Sequence, residues 1–178
     1  MIKPTPNGRP RIASSAFISE SADILGDVAV EDDVFVAPHA TIRADEPGSK
    51  VVIRSGSNVQ DNCVVHALAG TTVEIGCRST LAHGCIVHGP CMIGEGCFLG
   101  FGTIVFQSTL GEGCFILHRA VVQKVDVPPG SFIDLGQIVD SQETVRTLEG
   151  VPERYAAFAA KVVEANLLLA KEYGRKER

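Results

Sequence analysis

An aliphatic residue recurs every six positions from Ile75 onward, at Ile75, Leu81, Val87, Ile93, Leu99 and Val105. After one five-residue step the series resumes at Leu110, Ile116 and Val122, and the same register holds upstream at Val30, Val36, Ile42, Ile53, Val59 and Val65. A small residue stands four places after most of these, among them Ala40, Ser57, Cys63, Ser79, Cys85, Cys91, Cys97, Thr103, Cys114 and Ala120. Self-similarity at a fixed short period is the mark of a solenoid, in which each repeat buries its apolar side only against its neighbours. Five of the six cysteines share one repeat position, which makes them small buried fillers; Cys77 is off the pattern and has no assigned role.

The period, the small residues and the turn pairs Gly26-Asp27, Gly94-Glu95 and Gly111-Glu112 resemble the hexapeptide repeat of left-handed parallel β-helices. The resemblance supplies the handedness, since the usual crossover between parallel strands is right-handed. Three hexads then form one triangular coil, stacked about 4.8 Å on the next. The expected coil members are 30/36/42, 53/59/65, 75/81/87, 93/99/105 and 110/116/122. Two steps exceed six residues, Ile42 to Ile53 and Val65 to Ile75, and both leave the same corner, so loops 43–52 and 67–73 should protrude side by side. The expected organisation is an all-β solenoid domain over 1–135, then a turn region and C-terminal α-helix over 136–178 that packs on it. Pro152 suits a first helical position. Tyr155, Phe158, Ala159, Val162, Asn166, Leu169, Ala170 and Tyr173 form the helix's inward stripe, in which Asn166 needs a partner or faces a site.

A net charge of −5 without a block of like charges argues against nucleic acid or an anionic membrane as partner. The opening MIKPTPNGRP lacks the apolar core of a signal peptide, and no later run is long enough to span a bilayer. A cytoplasmic protein with reduced thiols is therefore expected.

The register also says where the histidines point. His66 and His88 each follow an inward aliphatic by one place on the same face of successive coils, so both project outward within reach of one ion. His83 follows Leu81 by two places on the adjacent face, on the order of 15 Å from His88 around a corner. A third ligand for the His66/His88 pair must then come from another copy of the chain, which a cyclic trimer provides. His39 shares no column with another histidine and reads as a surface residue; His118 shares the column of His83 and reads as surface or interface packing, or as a proton relay.

RADEPGS at 43–49, SNVQDNCVVHAL at 57–68, LAHGCIVHGP at 81–90 and IGEGCFLGFGTIVFQS at 93–108 resemble, in order, the motifs of γ-class carbonic anhydrases. That resemblance implies a homotrimer in which His66 and His88 of one subunit and His83 of the next hold Zn2+, with Fe2+ or Co2+ as alternatives. Three imidazoles leave one position for water, whose pKa such a metal brings near 7, and the resulting hydroxide converts CO2 to bicarbonate. By matching motif, Gln60 would hydrogen-bond hydroxide or substrate and Asn58 would orient it. Arg43 would pair with Asp45 and Asp61 for assembly, or contact bicarbonate; Asp61 has the alternative reading of a turn residue. The departures concern protons. The loop HALAGTTVEIG is short and has no acid before Glu74, so Glu46 is the candidate shuttle against the alternative of a solvated loop charge. Asn166 matches a family site residue, while Glu164 stands where the family carries Tyr. Two other functions stay open: a metal-binding homologue with little CO2 activity, acting as carrier, assembly component or thioesterase, and a hexapeptide acyltransferase.

Overall fold

The computed structural model describes residues 1–176. The chain is a left-handed parallel β-helix with a C-terminal α-helix along one face. Its three sheets contain eight, seven and eight strands, and each turn of chain contributes one short strand to each. The first sheet runs from Ile2–Lys3 to Ile138–Val139, the second from Arg11–Ile12 to Asp126–Val127, and the third from Phe17–Ile18 to Ser131–Ile133, closed by the antiparallel strand Glu149–Gly150.

The register is the one the hexads dictate. Val30, Ile53, Ile75, Ile93 and Leu110 align on the second sheet, Val36, Val59, Leu81, Leu99 and Ile116 on the third, and Ile42, Val65, Val87, Val105 and Val122 on the first. All point into the core, where each contributes about 1.5–3 kcal/mol by leaving water. The repeat, read from the sequence over roughly residues 18 to 135, is carried by strand pairing a little past both of those bounds. Ile12, Ile18 and Ile24 precede Val30, Val36 and Ile42, and Val127, Ile133 and Val139 follow, so the solenoid passes residue 135. Cys63, Cys85, Cys91, Cys97 and Cys114 are buried and all six thiols are free; burial pushes the Cys85 and Cys91 thiols up, away from reactivity.

Two local features make the tight corners possible. Gly76, Gly94 and Gly111 stack so closely that a Cβ on each would lie 2.5, 2.6 and 2.4 Å from the backbone of the next turn, so no other residue fits. From Val36 to Ile133 the third residue after each third-sheet aliphatic turns left-handed: His39, Asn62, Gly84, Gly102, Arg119 and Gly136 all have positive φ. His39 is thus a corner residue. The two inserted loops lie together, with Gly70 N–H donating to the Pro47 carbonyl at 2.9 Å.

The helix Glu153–Lys176 packs on the third sheet, whose outward column reads Phe17, Phe35, Asn58, Thr80, Phe98, Phe115, Phe132. Tyr155 near its start stacks on Phe132 and Phe115, while Tyr173 near its end packs on Phe17 and Phe35. Seven rows at about 4.8 Å cover about 29 Å, which about 36 Å of helix spans with little to spare. Among the described residues no helix is long and apolar enough to cross a membrane.

Candidate metal centre

Two groups of polar side chains stand on different parts of the solenoid. The first lies on the first sheet, where Arg43, His66 and His88 occupy consecutive rows of one outward column that continues with Phe106. Parallel rows about 4.8 Å apart bring the two imidazoles together. Their ring centres are 4.8 Å apart and the planes nearly perpendicular, with His66 Nδ1 3.0 Å from His88 Nε2. Two nitrogens bound to one tetrahedral ion at 2.0–2.1 Å would lie about 3.3 Å apart, so a shift of a few tenths of an ångström accommodates a cation between them.

The remaining ring nitrogens test the fit. His66 Nε2 and His88 Nδ1 are buried and lack hydrogen-bond partners. In a hydrogen-bonded pair of neutral imidazoles one inner nitrogen donates and the other accepts, which leaves one outer nitrogen bare and the other protonated. A cation held by both inner nitrogens makes both outer nitrogens donors, and His66 Nε2 then faces Glu46 Oε1 at 3.3 Å and Asp45 Oδ1 at 3.8 Å. Burial first, then the charge of Arg43 and the neighbouring His88, hold His66 below the usual histidine range despite both carboxylates. The ring is therefore neutral at neutral pH, the form a metal needs. Arg43 Nε donates to Asp45 Oδ1 at 3.0 Å, and Glu46 Oε2 accepts the Ala69 N–H at 2.7 Å across the paired loops.

The second group lies where the third sheet turns toward the first. Asp61 and His83 each stand two places after an inward aliphatic, on successive turns, and His83 Nδ1 is 2.8 Å from Asp61 Oδ2. The His83 ring stacks on Phe101 at 5.3 Å, and Phe101 stacks on His118 at 4.3 Å and 5°. Phe101 N–H donates to His118 Nδ1 at 3.0 Å. Beside this column opens a cleft of about 580 Å³ under the C-terminal helix, with Gln60, Asp61, His83 and Asn166 at its polar side and Phe17, Phe35 and Tyr173 at its apolar side. Asn58 and Thr80 interrupt the aromatic column directly beneath. Gln60 Nε2 donates to Asn58 Oδ1 at 3.1 Å, and Asn58 Nδ2 donates to Thr80 Oγ1 at 2.9 Å, all three being buried. Asn166 donates Nδ2 to the Val162 carbonyl at 2.8 Å, which leaves its Oδ1 as an acceptor.

The structure thus gathers His66, His88, Arg43, Asp45 and Glu46 at one place, and His83, Asp61, Gln60, Asn58 and Asn166 at another. Within one chain Arg43 meets Asp45 and Asp61 meets His83. Among the described residues no set of three or more His, Cys, Asp or Glu side chains could hold a metal within one chain. Sequence reasoning passed over Thr80, whose signal is that it stands one row from Asn58 in the same column. Phe101 stands between His83 and His118 in their column, as the register predicts, because all three follow an inward aliphatic by two places.

No family model matches the chain. It is 33% identical over 184 residues to the carboxysome assembly protein CcmM of Nostoc sp. (strain PCC 7120), covering 96% of this chain but 33% of that protein. The chain thus spans about a third of that relative's length. It is 34% identical over 191 residues to the carbonic anhydrase of Methanosarcina thermophila, covering 96% of this chain and 76% of that enzyme. Among solved structures it is similar to a hexapeptide transferase family protein from Anaplasma phagocytophilum, with a TM-score of 0.78 at 25% identity over 96% of both chains.

Proposed function

The chain belongs to the γ-class carbonic anhydrase family, and from that premise we propose that it catalyses reversible hydration of CO2 to bicarbonate at metal sites shared between the subunits of a homotrimer. The observation that carries the proposal is the pairing of His66 Nδ1 and His88 Nε2 at 3.0 Å on one face, with His83 held apart at a corner of the same chain. Neither group suffices alone, and a three-fold arrangement brings the first group of one subunit to the second group of the next. An outward stripe supports this contact: Val64, Ile86, Ile104, Val121 and Ile138 align two places before the histidine column, and Ile86, Ile104 and Ile138 are exposed in the single chain.

Three neutral imidazoles suit zinc, or iron or cobalt, and such an ion would supply the Lewis acidity that makes water a nucleophile at neutral pH. The chain's own residues supply the rest. Asn58 takes one Gln60 N–H and leaves the Gln60 carbonyl oxygen as an acceptor that fixes the orientation of the attacking water. Asn166 adds an acceptor on the helix side of the cleft. Arg43, held by Asp45, places a positive charge beside the pair, where it receives a carboxylate-like product or an acid from the adjoining subunit. CO2 and water give bicarbonate and one proton, and that proton must leave through a nearby base.

The test begins with metal analysis. Purified protein should carry about one metal per chain, and His66→Ala and His83→Ala should each lose it. Trimers assembled from equal amounts of the two variants should recover metal at about one interface in four, because a site needs the intact pair from one subunit and the intact His83 from its neighbour. Metal content unchanged by both substitutions would refute the shared centre. Stopped-flow CO2 hydration then tests the activity, and fully metallated protein with no rate above buffer would sink it. That result would support a second reading, a metal-holding trimer with a carrier or assembly role, which is favoured by the engagement of both Glu46 oxygens at the site.

A further inference from the structure

We propose that Asp61 and Glu46 are positioning residues that fix the tautomers of His83 and His66, so that the metal is met by His83 Nε2, His66 Nδ1 and His88 Nε2. The inference rests on the shared centre proposed above and assigns the nitrogen through which each ring acts. A neutral imidazole carries one N–H, and a carboxylate that takes it leaves the other nitrogen's lone pair for the ion. Asp61 Oδ2 lies 2.8 Å from His83 Nδ1, so Nδ1 carries the hydrogen and Nε2 is the free end. The ring cannot easily turn about, because it lies against Phe101, itself stacked on His118. The Phe101–His118 contact depends on Gly100, where a Cβ would lie 2.7 Å from His118 Nδ1.

His66 shows the same arrangement with the nitrogens exchanged. Its Nε2 makes no hydrogen bond in the metal-free chain but faces Glu46 Oε1 at 3.3 Å, within reach of the Nε2–H that a cation on Nδ1 would create, and its Nδ1 faces His88 Nε2. Glu46 is placed by its other oxygen on the Ala69 N–H, and its backbone carbonyl accepts from the Ser49 hydroxyl at 2.7 Å and the Ser49 N–H at 3.0 Å. A carboxylate anchored in this way is built to hold a ring, whereas a proton shuttle has to release one partner to reach another. This gives Glu46 a role different from the shuttle expected from its place in the sequence.

The assignment is read without any variant from long-range proton–nitrogen NMR of labelled imidazoles in protein loaded with zinc or with NMR-active cadmium. The expected result is metal bonding at His66 Nδ1, His83 Nε2 and His88 Nε2; bonding at the opposite nitrogen of His66 or His83 overturns the proposal. Chelator competition should show metal affinity about 10–100-fold weaker in Asp61→Ala and in Glu46→Ala, with most of the loss recovered in Asp61→Asn and Glu46→Gln, whose carbonyl oxygens still accept the ring N–H. Wild-type affinity in both alanine variants would also overturn it. If His66→Ala and His83→Ala keep their metal, the shared centre itself fails; if those lose it while the Asp61 and Glu46 variants do not, only the positioning role fails.

Discussion

Asn58→Ala is the sharpest single test of how the third sheet supports the centre. The substitution removes the bond to Thr80 Oγ1 at 2.9 Å and the bond from Gln60 Nε2 at 3.1 Å, in a place where Asn58 and Thr80 have no exposure to solvent. A buried polar group left without its partner costs about 1–3 kcal/mol. The Thr80 hydroxyl can rotate and Gln60 borders the cleft, so both costs fall toward the low end, about 2–3 kcal/mol together. For a chain of 178 residues that is a Tm lower by roughly 4–12 °C, read by thermal and urea unfolding. Under the proposed function, metal content should not change, since no histidine is touched, whereas CO2 turnover of the metal-loaded protein should fall because Gln60 loses its support. The double variant with Gln60→Ala decides the mechanism: if Asn58 acts through Gln60, the two effects on stability and turnover are strongly non-additive. Additive effects, or a Tm within about 1 °C of wild type, would refute the network as the source of Gln60's orientation.

Two further outcomes follow from geometry already described. His66 titrates below its usual range when folded and near pH 6.5 when unfolded, so between those values the unfolded chain binds more protons. The stability of metal-free protein should therefore be full above about pH 6.5 and decline as pH falls through the folded value. In His66→Gln this slope should flatten, and an unchanged urea midpoint profile would contradict the burial argument. Ile104→Asp places a charge in the outward apolar stripe; under the proposed homotrimer, light scattering should show dissociation with loss of metal, and an intact metallated assembly would show that the stripe is not the interface.

Much of the fold is legible because inward aliphatics recur at six residues with few exceptions, and strand pairing follows that register from Val30 to Val122. Ile12, Ile18 and Ile24 keep the six-residue spacing back from Val30, and only the first strand is hidden, because Pro4, Pro6, Gly8 and Pro10 break the spacing between Ile2 and Ile12 and a small hairpin, Thr5 paired with Gly8, fills the gap. The last turn is reached by another five-residue step, Val122 to Val127, which a strict hexad count does not extend. At the site, the His66/His88 column and the Asp61/His83 column both follow from register. The contact of Glu46 with His66 does not, because Glu46 sits in an inserted loop whose path is set by bonds such as Gly70 to Pro47 rather than by any period. Thr80 was hidden for a different reason: its polar character matters only because the helix covers that row.

The C-terminal helix runs from the aromatic rows of the last turns to those of the first, with Tyr155 at one end and Tyr173 at the other. A stack in which each turn touches only its neighbours would be expected to fray from its ends, turn by turn. A strap joining both ends makes the release of the first turn depend on the release of the last, so the array should open as one cooperative unit. The cleft with Gln60 and Asn166 lies under the C-terminal part of that strap, against the first turns, so the same element that closes the array also roofs the cleft.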